Sequence, residues 1–276
     1  MLRSLKDLEH YGIAATDGPI GEVKDFYFDD DTWAVRYFVV DTGTWLKSRQ
    51  VLISPIAVRH PNWLARTLPV SLTKQQVSDS PDIDTDKPVS RQNEEEYMGY
   101  YGYPTYWGGD ALWGGGLYPY AMDPAVGGYT GYGQGHVERE RELEAYLRDS
   151  RARHRNDDPH LRSSKAVTGY HIHATDGEIG HVAGILVDDE TWAINYLVVD
   201  TSNWWMGHQV LVSPRWITGV HWKDRTVSVD LSRESIQSAP AYDSDTEWTR
   251  EKDLDLYRHY GRSTYWAGGP LVETEA

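Results

Sequence analysis

Short runs of β-branched and aromatic residues, separated by polar turns, follow one another along this chain. The segments Ile20–Phe28 and Ala34–Val40 are two such runs, and they flank the acidic segment 29–32. Apolar runs of this length bounded by turn residues predict a β-hairpin. The dipeptide Asp17-Gly18 predicts a tight turn just before it, because Gly accepts positive φ and Asp bonds to its own backbone.

Further short elements follow the hairpin. Val51–Ile53 predicts a strand that ends at Ser-Pro, and Arg66–Leu72 alternates between polar and apolar residues as a half-buried strand does. Thr73 predicts a helix N-cap, followed by one or two helical turns that end at Pro81. Five or six short strands within about 70 residues predict a small β-barrel or rolled sheet.

The whole pattern occurs a second time further along the chain, at one constant offset and without a gap. The clearest matches pair Ala15–Gly18, Thr32–Ala34 and Val39–Thr42 with Ala174–Gly177, Thr191–Ala193 and Val198–Thr201. We call this constant offset the repeat spacing. An internal repeat is interpreted as one structural unit used twice. We therefore predict an all-β protein with short helices, in which residues 1–81 and 163–240 form two small barrels in tandem.

The segment between the two copies has a different composition. Residues 82–96 are acidic and polar, and residues 97–135 are rich in Tyr, Gly and Trp with few aliphatic side chains. Such a composition predicts irregular or mobile chain rather than a packed core. We predict one solvated helix near 136–154, so that residues 82–162 as a whole serve as a linker.

An aromatic pattern in the linker returns after the second copy, where residues 241–276 repeat residues 82–110. The matching aromatic residues are Tyr101, Tyr106 and Trp107 in the linker and Tyr260, Tyr265 and Trp266 in the tail. One interpretation is that each aromatic segment docks on a barrel and completes the core of that barrel. A second is that these residues form a surface for a partner, because Tyr and Trp are common interface anchors. A third is disorder.

Each copy resembles the PRC-barrel family. The resemblance depends on a D-G-x-I-G-x-V element at Asp17–Val23 and Asp176–Val182, and on a Val-Val-Asp strand end at residues 39–41 and 198–200. A strand followed by Ser-Pro comes next in both copies. The resemblance implies a small all-β barrel that has no catalytic residues of its own and serves as a docking module.

Known settings of this family are the cytoplasmic part of the photosynthetic reaction-centre H subunit, ribosome-maturation factors and many stand-alone bacterial proteins. This sequence has no membrane helix like that of the H subunit, and no partner domain like that of the ribosome factors. A role in photosynthetic electron transport would therefore rest on fold resemblance alone.

Charge and composition narrow the function classes. The net charge is −15, from 27 Lys and Arg against 42 Asp and Glu, and no third of the chain is basic. Nucleic-acid binding is therefore not expected, since it depends on positive charge facing the phosphates. The absence of Cys excludes disulfides and thiolate chemistry. With no signal peptide and no long apolar run, we expect a cytoplasmic protein without a membrane span.

Two groups of residues are weak candidates for a metal site. His171 and His173 are two apart on one predicted strand, and His181 is nearby in the sequence. The first copy has Gly12, Ala14 and Glu22 at these three positions, so it cannot repeat such a site. We interpret them as histidines on a solvated face, with a metal site as the alternative.

The acidic turns, which contain Asp29 and Asp30 in one copy and Asp188 and Asp189 in the other, could bind a hard cation through carboxylate oxygens. Asp is also common in hairpin turns. We interpret Trp33 and Trp192, which follow these turns, as packing residues rather than a ligand clamp.

No nucleophile elbow and no phosphate-binding loop is present in the sequence. We therefore expect no enzyme and no cofactor, but a docking or scaffold protein with a protein partner, homo-oligomerisation being a further form of association. The alternatives are an RNA- or ribosome-associated processing factor, by family analogy, and a cation-binding module.

Overall fold

The structure is a computed structural model that describes residues 1–47, 49–81, 89, 91–107, 111–114, 116–124, 161–201 and 208–263. The helix predicted near 136–154, Tyr265 and Trp266 lie outside these residues. The described chain is mostly β, with two sheets and a few short helices, as predicted. None of its helices is both long and apolar enough to cross a lipid bilayer.

The first copy and the segment after it contain six strands and three helices. They are β1 (Leu2–Ser4), α1 (Leu5–Leu8), β2 (Gly12–Ala15), β3 (Gly18–Asp29), β4 (Ala34–Asp41), β5 (Gln50–Ile53), β6 (Thr67–Pro69), α2 (Lys74–Ser78) and α3 (Arg91–Tyr101). Single 3-10 turns occur at Gly43–Leu46, Pro55–Ala57 and Pro119–Met122.

The second copy repeats this order with one additional strand. Its elements are β7 (Leu161–Ser163), α4 (Ser164–Val167), β8 (His171–Ala174), β9 (Gly177–Asp188), β10 (Ile194–Asp200), β11 (Gln209–Val212), β12 (Ile217–His221), β13 (Thr226–Val229), α5 (Arg233–Gln237) and α6 (Arg250–His259). A 3-10 turn at Pro214–Trp216 matches the turn at Pro55–Ala57.

The two sheets have the same strand order. One sheet runs β5-β4-β3-β2-β6, and the other runs β11-β10-β9-β8-β13-β12. In each, the long central strand forms the predicted hairpin, β3 with β4 and β9 with β10. The N-terminal strands are exchanged, because β7 pairs with β3 and β1 pairs with β9.

The chain divides into two compact units that do not coincide with the sequence copies. Unit 1 contains Met1, residues 3–166 and residues 187–194. Unit 2 contains Leu2, residues 167–186 and residues 195–276. Unit 1 therefore includes strand β7 and the turn between β9 and β10, in addition to the first copy.

The motif glycines are required by close backbone contact. A Cβ atom at Gly21 would lie 1.9 Å from the carbonyl oxygen of Asp41, and a Cβ at Gly180 would lie 2.0 Å from that of Asp200. No side chain fits at such a separation. The Ile-Gly pair of the sequence motif therefore marks the place where the central strand lies against the end of the next strand.

Apolar side chains fill the interior of each unit. In unit 1, Phe26 and Phe38 are fully buried and meet edge-to-face with ring centroids 5.7 Å apart. In unit 2, Ile172, Tyr196 and Leu211 are fully buried. Burial of one such side chain contributes roughly 1.5–3 kcal/mol.

The short helices begin where the sequence predicts them. The Thr73 hydroxyl accepts a hydrogen bond from the Gln76 amide, and the Gln76 side chain returns to the Thr73 amide, which completes a capping box. Ser232 accepts from the Ser235 amide in the same way. The strand expected over Arg66–Leu72 is shorter, since β6 covers only Thr67–Pro69.

The prediction of irregular chain over residues 97–135 is wrong for residues 97–101, which are helical. Helix α3 continues to Tyr101, and the side chains of Tyr97 and Met98 are only 1% exposed. The Tyr97 hydroxyl donates to the Leu52 carbonyl at 3.0 Å and accepts from the Ser54 amide at 3.2 Å. Tyrosine rings therefore provide the buried apolar surface that the lack of aliphatic residues seemed to exclude.

Candidate interaction surface and cation sites

The acidic turns close the two long hairpins. A carboxylate oxygen of Asp29 accepts from the amides of Asp31 and Thr32, at 2.9 and 3.2 Å. Asp188 accepts from the amides of Glu190 and Thr191, at 3.2 and 2.8 Å. The first aspartate of each turn therefore supplies the local hydrogen bonds that shape the turn.

The second aspartate of each turn pairs with an arginine from an N-terminal strand. Within unit 1, Arg162 on β7 donates to Asp30 at 2.7 Å, and Arg3 on β1 donates to Asp189 at 2.7 Å. Both arginines belong to a Leu-Arg-Ser tripeptide that is itself repeated, at residues 2–4 and 161–163. Burial raises the pKa of Asp30, whereas the hydrogen bond from Arg162 lowers it.

The first acidic turn is a cation candidate by geometry. Oxygen atoms of Asp29, Asp30 and Asp31 lie within 4.8 Å of one another, the one such trio of ligands in the described part of the chain. Two of the three carboxylates already face guanidinium groups, because Arg36 lies 3.6 Å from Asp29 and Arg162 contacts Asp30. These contacts give the turn a structural explanation.

The tryptophans after the acidic turns lie against phenylalanine rings in unit 1. Trp33 stacks on Phe28 with centroids 5.2 Å apart, and Trp192, which is 2% exposed, lies 4.7 Å from Phe38. Both have positive φ, 53° and 59°. They are therefore in packing positions in tight turns.

The histidine candidates lie on the exposed face of the second sheet. The Nδ1 atom of His171 is 2.8 Å from Oε1 of Glu178, and Nε2 of His173 is 4.0 Å from Oε2 of the same residue. His171 is also the cross-strand partner of His181. The structure therefore places the three histidines that the sequence suggested next to one another on this face, and adds Glu178, which the sequence did not suggest.

A buried arginine connects the aromatic linker to the first sheet. Arg36 on β4 is fully buried, with its guanidinium 3.8 Å from the ring centroid of Tyr106 and 4.5 Å from that of Trp113. It donates to the Leu112 carbonyl and to the Thr32 hydroxyl, each at 2.8 Å. These contacts fix Tyr106, Leu112 and Trp113 of the linker against the first sheet through cation–π and hydrogen-bond interactions.

A tyrosine–carboxylate contact is present in each unit, buried in unit 1 and part-buried in unit 2. In unit 1, Tyr37 donates to Glu94 at 3.4 Å, and the Tyr106 hydroxyl donates to the same carboxylate. In unit 2, Tyr196 donates to Asp253 at 2.7 Å. Tyr196 and Asp253 are the counterparts of Tyr37 and Glu94 at the repeat spacing. The pairing was detectable in the sequence as a Glu-to-Asp match between the two copies.

The aromatic residues proposed as interaction candidates lie mostly within the units. Tyr106 is 2% exposed and Tyr260 is 8% exposed, whereas Tyr101 and Trp107 are half-buried. The Tyr260 hydroxyl donates to the Leu211 carbonyl at 3.4 Å. The side chains of these described residues therefore contribute to packing on the sheets, and the outward-facing aromatic residues are others.

An exposed aromatic group lies further along the linker, and we call it the tyrosine ledge (Leu117, Tyr118 and Tyr120). Their exposed fractions are 59%, 37% and 48%, and the two tyrosine rings stack with centroids 5.5 Å apart. Pro119 between the tyrosines is buried. The ledge was not among the sequence candidates, because those were chosen as aromatic residues that recur at the repeat spacing.

Buried polar contacts fix the backbone that carries the ledge. Asp123, one residue after the 3-10 turn at Pro119–Met122, forms an ion pair with Arg59. It also accepts a hydrogen bond from the Ser71 hydroxyl at 3.0 Å. Because Asp123 is only 4% exposed, the ledge is attached to the body of unit 1 rather than to a free loop.

Comparison with known proteins finds similarity to a family model and to one relative. An uncharacterized protein of Deinococcus radiodurans is 35% identical over 91 residues, a match that covers 28% of this chain and 32% of the relative. The chain thus spans about a third of the length of this curated relative. Residues 3–63, which belong to the first copy, match the model of the PRC-barrel domain family.

Proposed function

We propose that this chain is a non-enzymatic tandem PRC-barrel protein that acts as a docking module for a protein partner in the cytoplasm. The tandem arrangement is supported by the internal repeat at constant spacing and by the shared strand order of the two sheets. The family match covers residues 3–63. We assign the second copy to the same family because it shares the sequence repeat and the strand order of the first copy.

A non-enzymatic role is supported by the contacts of the polar groups in the hairpin turns. Asp29, Asp30 and Asp189 each face an arginine, and Asp188 and Asp29 bond to their own turns. These groups therefore have structural roles that account for their position. The buried Glu94 and the half-buried Asp253 likewise accept hydrogen bonds from tyrosines.

The tyrosine ledge is the main support for a docking role. Tyrosine offers a large contact area with few rotatable bonds, so ordering its ring on binding costs little entropy. Two stacked, exposed tyrosines on an anchored backbone are therefore suited to the centre of an interface. The net charge of −15 favours a partner with a basic surface, because charge complementarity accelerates association.

Site-specific photo-crosslinking tests this function. The photoreactive residue replaces Tyr118 in one variant and Leu64, a 98% exposed residue outside the ledge, in another. We expect one protein from source-cell extract to be crosslinked at position 118 and not at position 64, and to be lost in Tyr120→Ala. Equal crosslinking at both positions, or capture that survives Tyr120→Ala, would contradict the proposal.

A further inference from the structure

Four metal-ligating side chains are placed on one face of the second sheet by a β-bulge. In the pairing of β8 with β9, His171 lies opposite His181, and His173 lies opposite Glu178. The register shifts between these two pairs, so that β9 contains one additional residue there. Without the bulge, Glu178 and His181, which are three positions apart, would point to opposite faces.

The burial of the neighbouring residues confirms which face the ligands occupy. Ile172 and Ile179, which lie between the ligand positions, are fully buried on the inner side. The side chains of His171, His173 and Glu178 are 53%, 48% and 46% exposed. The four-residue group His171, His173, Glu178 and His181, here called the histidine face, is therefore reachable from solvent.

Glu178 orients the histidines around it. Its Oε1 atom is 2.8 Å from Nδ1 of His171, which leaves Nε2 of that imidazole free of this contact. A carboxylate that accepts from one ring nitrogen fixes the tautomer in which the other nitrogen can bind a metal. The second oxygen of Glu178 is 4.0 Å from Nε2 of His173, so the carboxylate lies between the two rings.

The neighbouring strand places short side chains beside the histidines. On β13, Thr226 is the neighbour of His171 and Ser228 is the neighbour of His173. Both are short side chains, which limits crowding of the two imidazoles on this side. Side chains directly opposite in an antiparallel pair have Cβ atoms about 4.5–5.5 Å apart, so His171 and His181 are neighbours on this face. The ligand atoms of the face do not all lie within 4.8 Å of one another, so binding requires the imidazoles to turn towards the ion.

We propose that the histidine face binds one divalent transition-metal ion of the zinc, nickel or copper class, with imidazole nitrogens as ligands and Glu178 as the orienting carboxylate. Imidazole prefers these ions over Mg²⁺ and Ca²⁺, which select oxygen ligands. The site is a property of the second copy. The first copy has the same bulge, but its equivalent residues are Gly12, Ala14, Pro19 and Glu22.

Isothermal titration of the full chain with ZnCl2 tests this proposal. We expect saturable binding of one Zn²⁺ per chain that excess Mg²⁺ does not displace. The double substitution His171→Ala with His173→Ala should abolish it, and Glu178→Gln should weaken it about tenfold. His60→Ala, at an exposed histidine outside the site, should leave the affinity unchanged.

A second measurement uses the unmodified chain, so its result does not depend on whether the variants fold. In the imidazole NMR spectrum of the unmodified chain, Zn²⁺ should shift the signals of His171, His173 and His181 first. Absence of saturable Zn²⁺ binding, retention of the affinity in the double variant, or first shifts at histidines outside the face would each overturn the proposal.

Discussion

Ala34 and Ala193 occupy equivalent positions in the two sequence copies, and they pair with each other through an antiparallel bridge inside unit 1. The Val35 amide donates to the Trp192 carbonyl at 2.9 Å, and the Ile194 amide donates to the Trp33 carbonyl at 2.7 Å. Replacing every residue by its counterpart in the other copy converts the first of these hydrogen bonds into the second. The pairing is therefore self-complementary, as in an isologous interface between identical subunits.

The same interchange relates the two arginine–aspartate pairs. Arg3 and Asp189 become Arg162 and Asp30 when each residue is replaced by its counterpart in the other copy. The strand that carries each arginine pairs with the central strand of the other copy. Each acidic turn is therefore held by an arginine–aspartate ion pair, and the strand that carries the arginine also pairs with the central strand that leads into the turn.

Replacing Arg162 with Ala should lower the free energy of unfolding by about 1.5–3 kcal/mol, because a largely buried carboxylate loses its charged donor. The side chains of Arg162 and Asp30 are only 16% and 12% exposed. Urea denaturation monitored by circular dichroism measures the change. Adding Asp30→Asn should recover part of the loss, since no carboxylate is then left unpaired.

Lys165→Ala is the matched control for this prediction. Lys165 also pairs across unit 1, with Glu9, but its side chain is 50% exposed. Exposed ion pairs contribute less than about 1 kcal/mol. Equal losses in the two variants would show that burial of the Arg162 pair has no energetic consequence.

Gly21→Ala should destabilise the chain by about 3 kcal/mol or more, because the new Cβ would overlap the Asp41 carbonyl. Gly180→Ala should do the same through Asp200. Gly12→Ala is the control, since its Cβ would have its nearest neighbours at 3.9 Å. Thermal unfolding of the three variants tests the prediction, which fails if Gly21→Ala melts at the temperature of the Gly12 variant.

Stability should depend on pH through Asp253. Burial raises the pKa of this carboxyl, and the hydrogen bonds from Trp248 and Tyr196 lower it by less. The folded state therefore favours the protonated form, so this group's contribution to the free energy of unfolding decreases as pH rises from 3.8 through the folded-state pKa.

Asp253→Asn should remove this component of the pH dependence, because the amide oxygen can still accept both hydrogen bonds and carries no charge. The difference in unfolding free energy between the unmodified chain and this variant, measured from pH 3.5 to pH 7, isolates the effect. Asp255→Asn, at a side chain that is 69% exposed, should leave the profile unchanged. A constant difference across this range would contradict the assignment.

Arg36→Ala should destabilise unit 1 by about 3–5 kcal/mol, because the substitution leaves Asp29 without its buried guanidinium. It should also release the linker, since Arg36 contacts Tyr106 and Trp113 and bonds to the Leu112 carbonyl. Limited proteolysis should then cut within residues 103–123, and tryptophan fluorescence should shift to the red.

Arg66→Ala is the control for this release. Arg66 also lies over an aromatic ring, 5.0 Å from that of Tyr11, but its hydrogen bonds to the Asp7 and Glu9 carbonyls are exposed. We expect no change in cleavage of the linker. Protection of residues 103–123 in the Arg36 variant would show that other contacts hold this segment.

Local elements could be predicted from the sequence because they depend on local chemistry. The hairpin around Asp29, the strand at Val51–Ile53 and the N-caps at Thr73 and Ser232 follow from residue type and spacing. The exchange of β1 and β7 could not be predicted in this way. A strand as short as Leu-Arg-Ser carries too little pattern to specify which of two equivalent partners it joins.

The site residues were harder to find for a similar reason. Tyr37 and Glu94 are far apart in sequence, and only the fold brings the hydroxyl to the carboxylate. The histidine face depends on the bulge, which changes the side of the sheet on which His181 lies. A strictly alternating pattern would place Glu178 and His181 on opposite faces. The residue types can therefore be recognised in the sequence, whereas the fold determines which of them lie side by side.

The steric overlap that excludes a side chain at Gly21 and Gly180 also limits which substitutions the two sequence copies can accumulate. On the outer surface the two copies have diverged freely, as Gly12 and His171 show at one matched position. At the glycines, any coding change that adds a Cβ is penalised by the backbone of the same copy. New binding chemistry in this protein can therefore evolve on the outer face of either sheet, while the contact beneath it stays invariant.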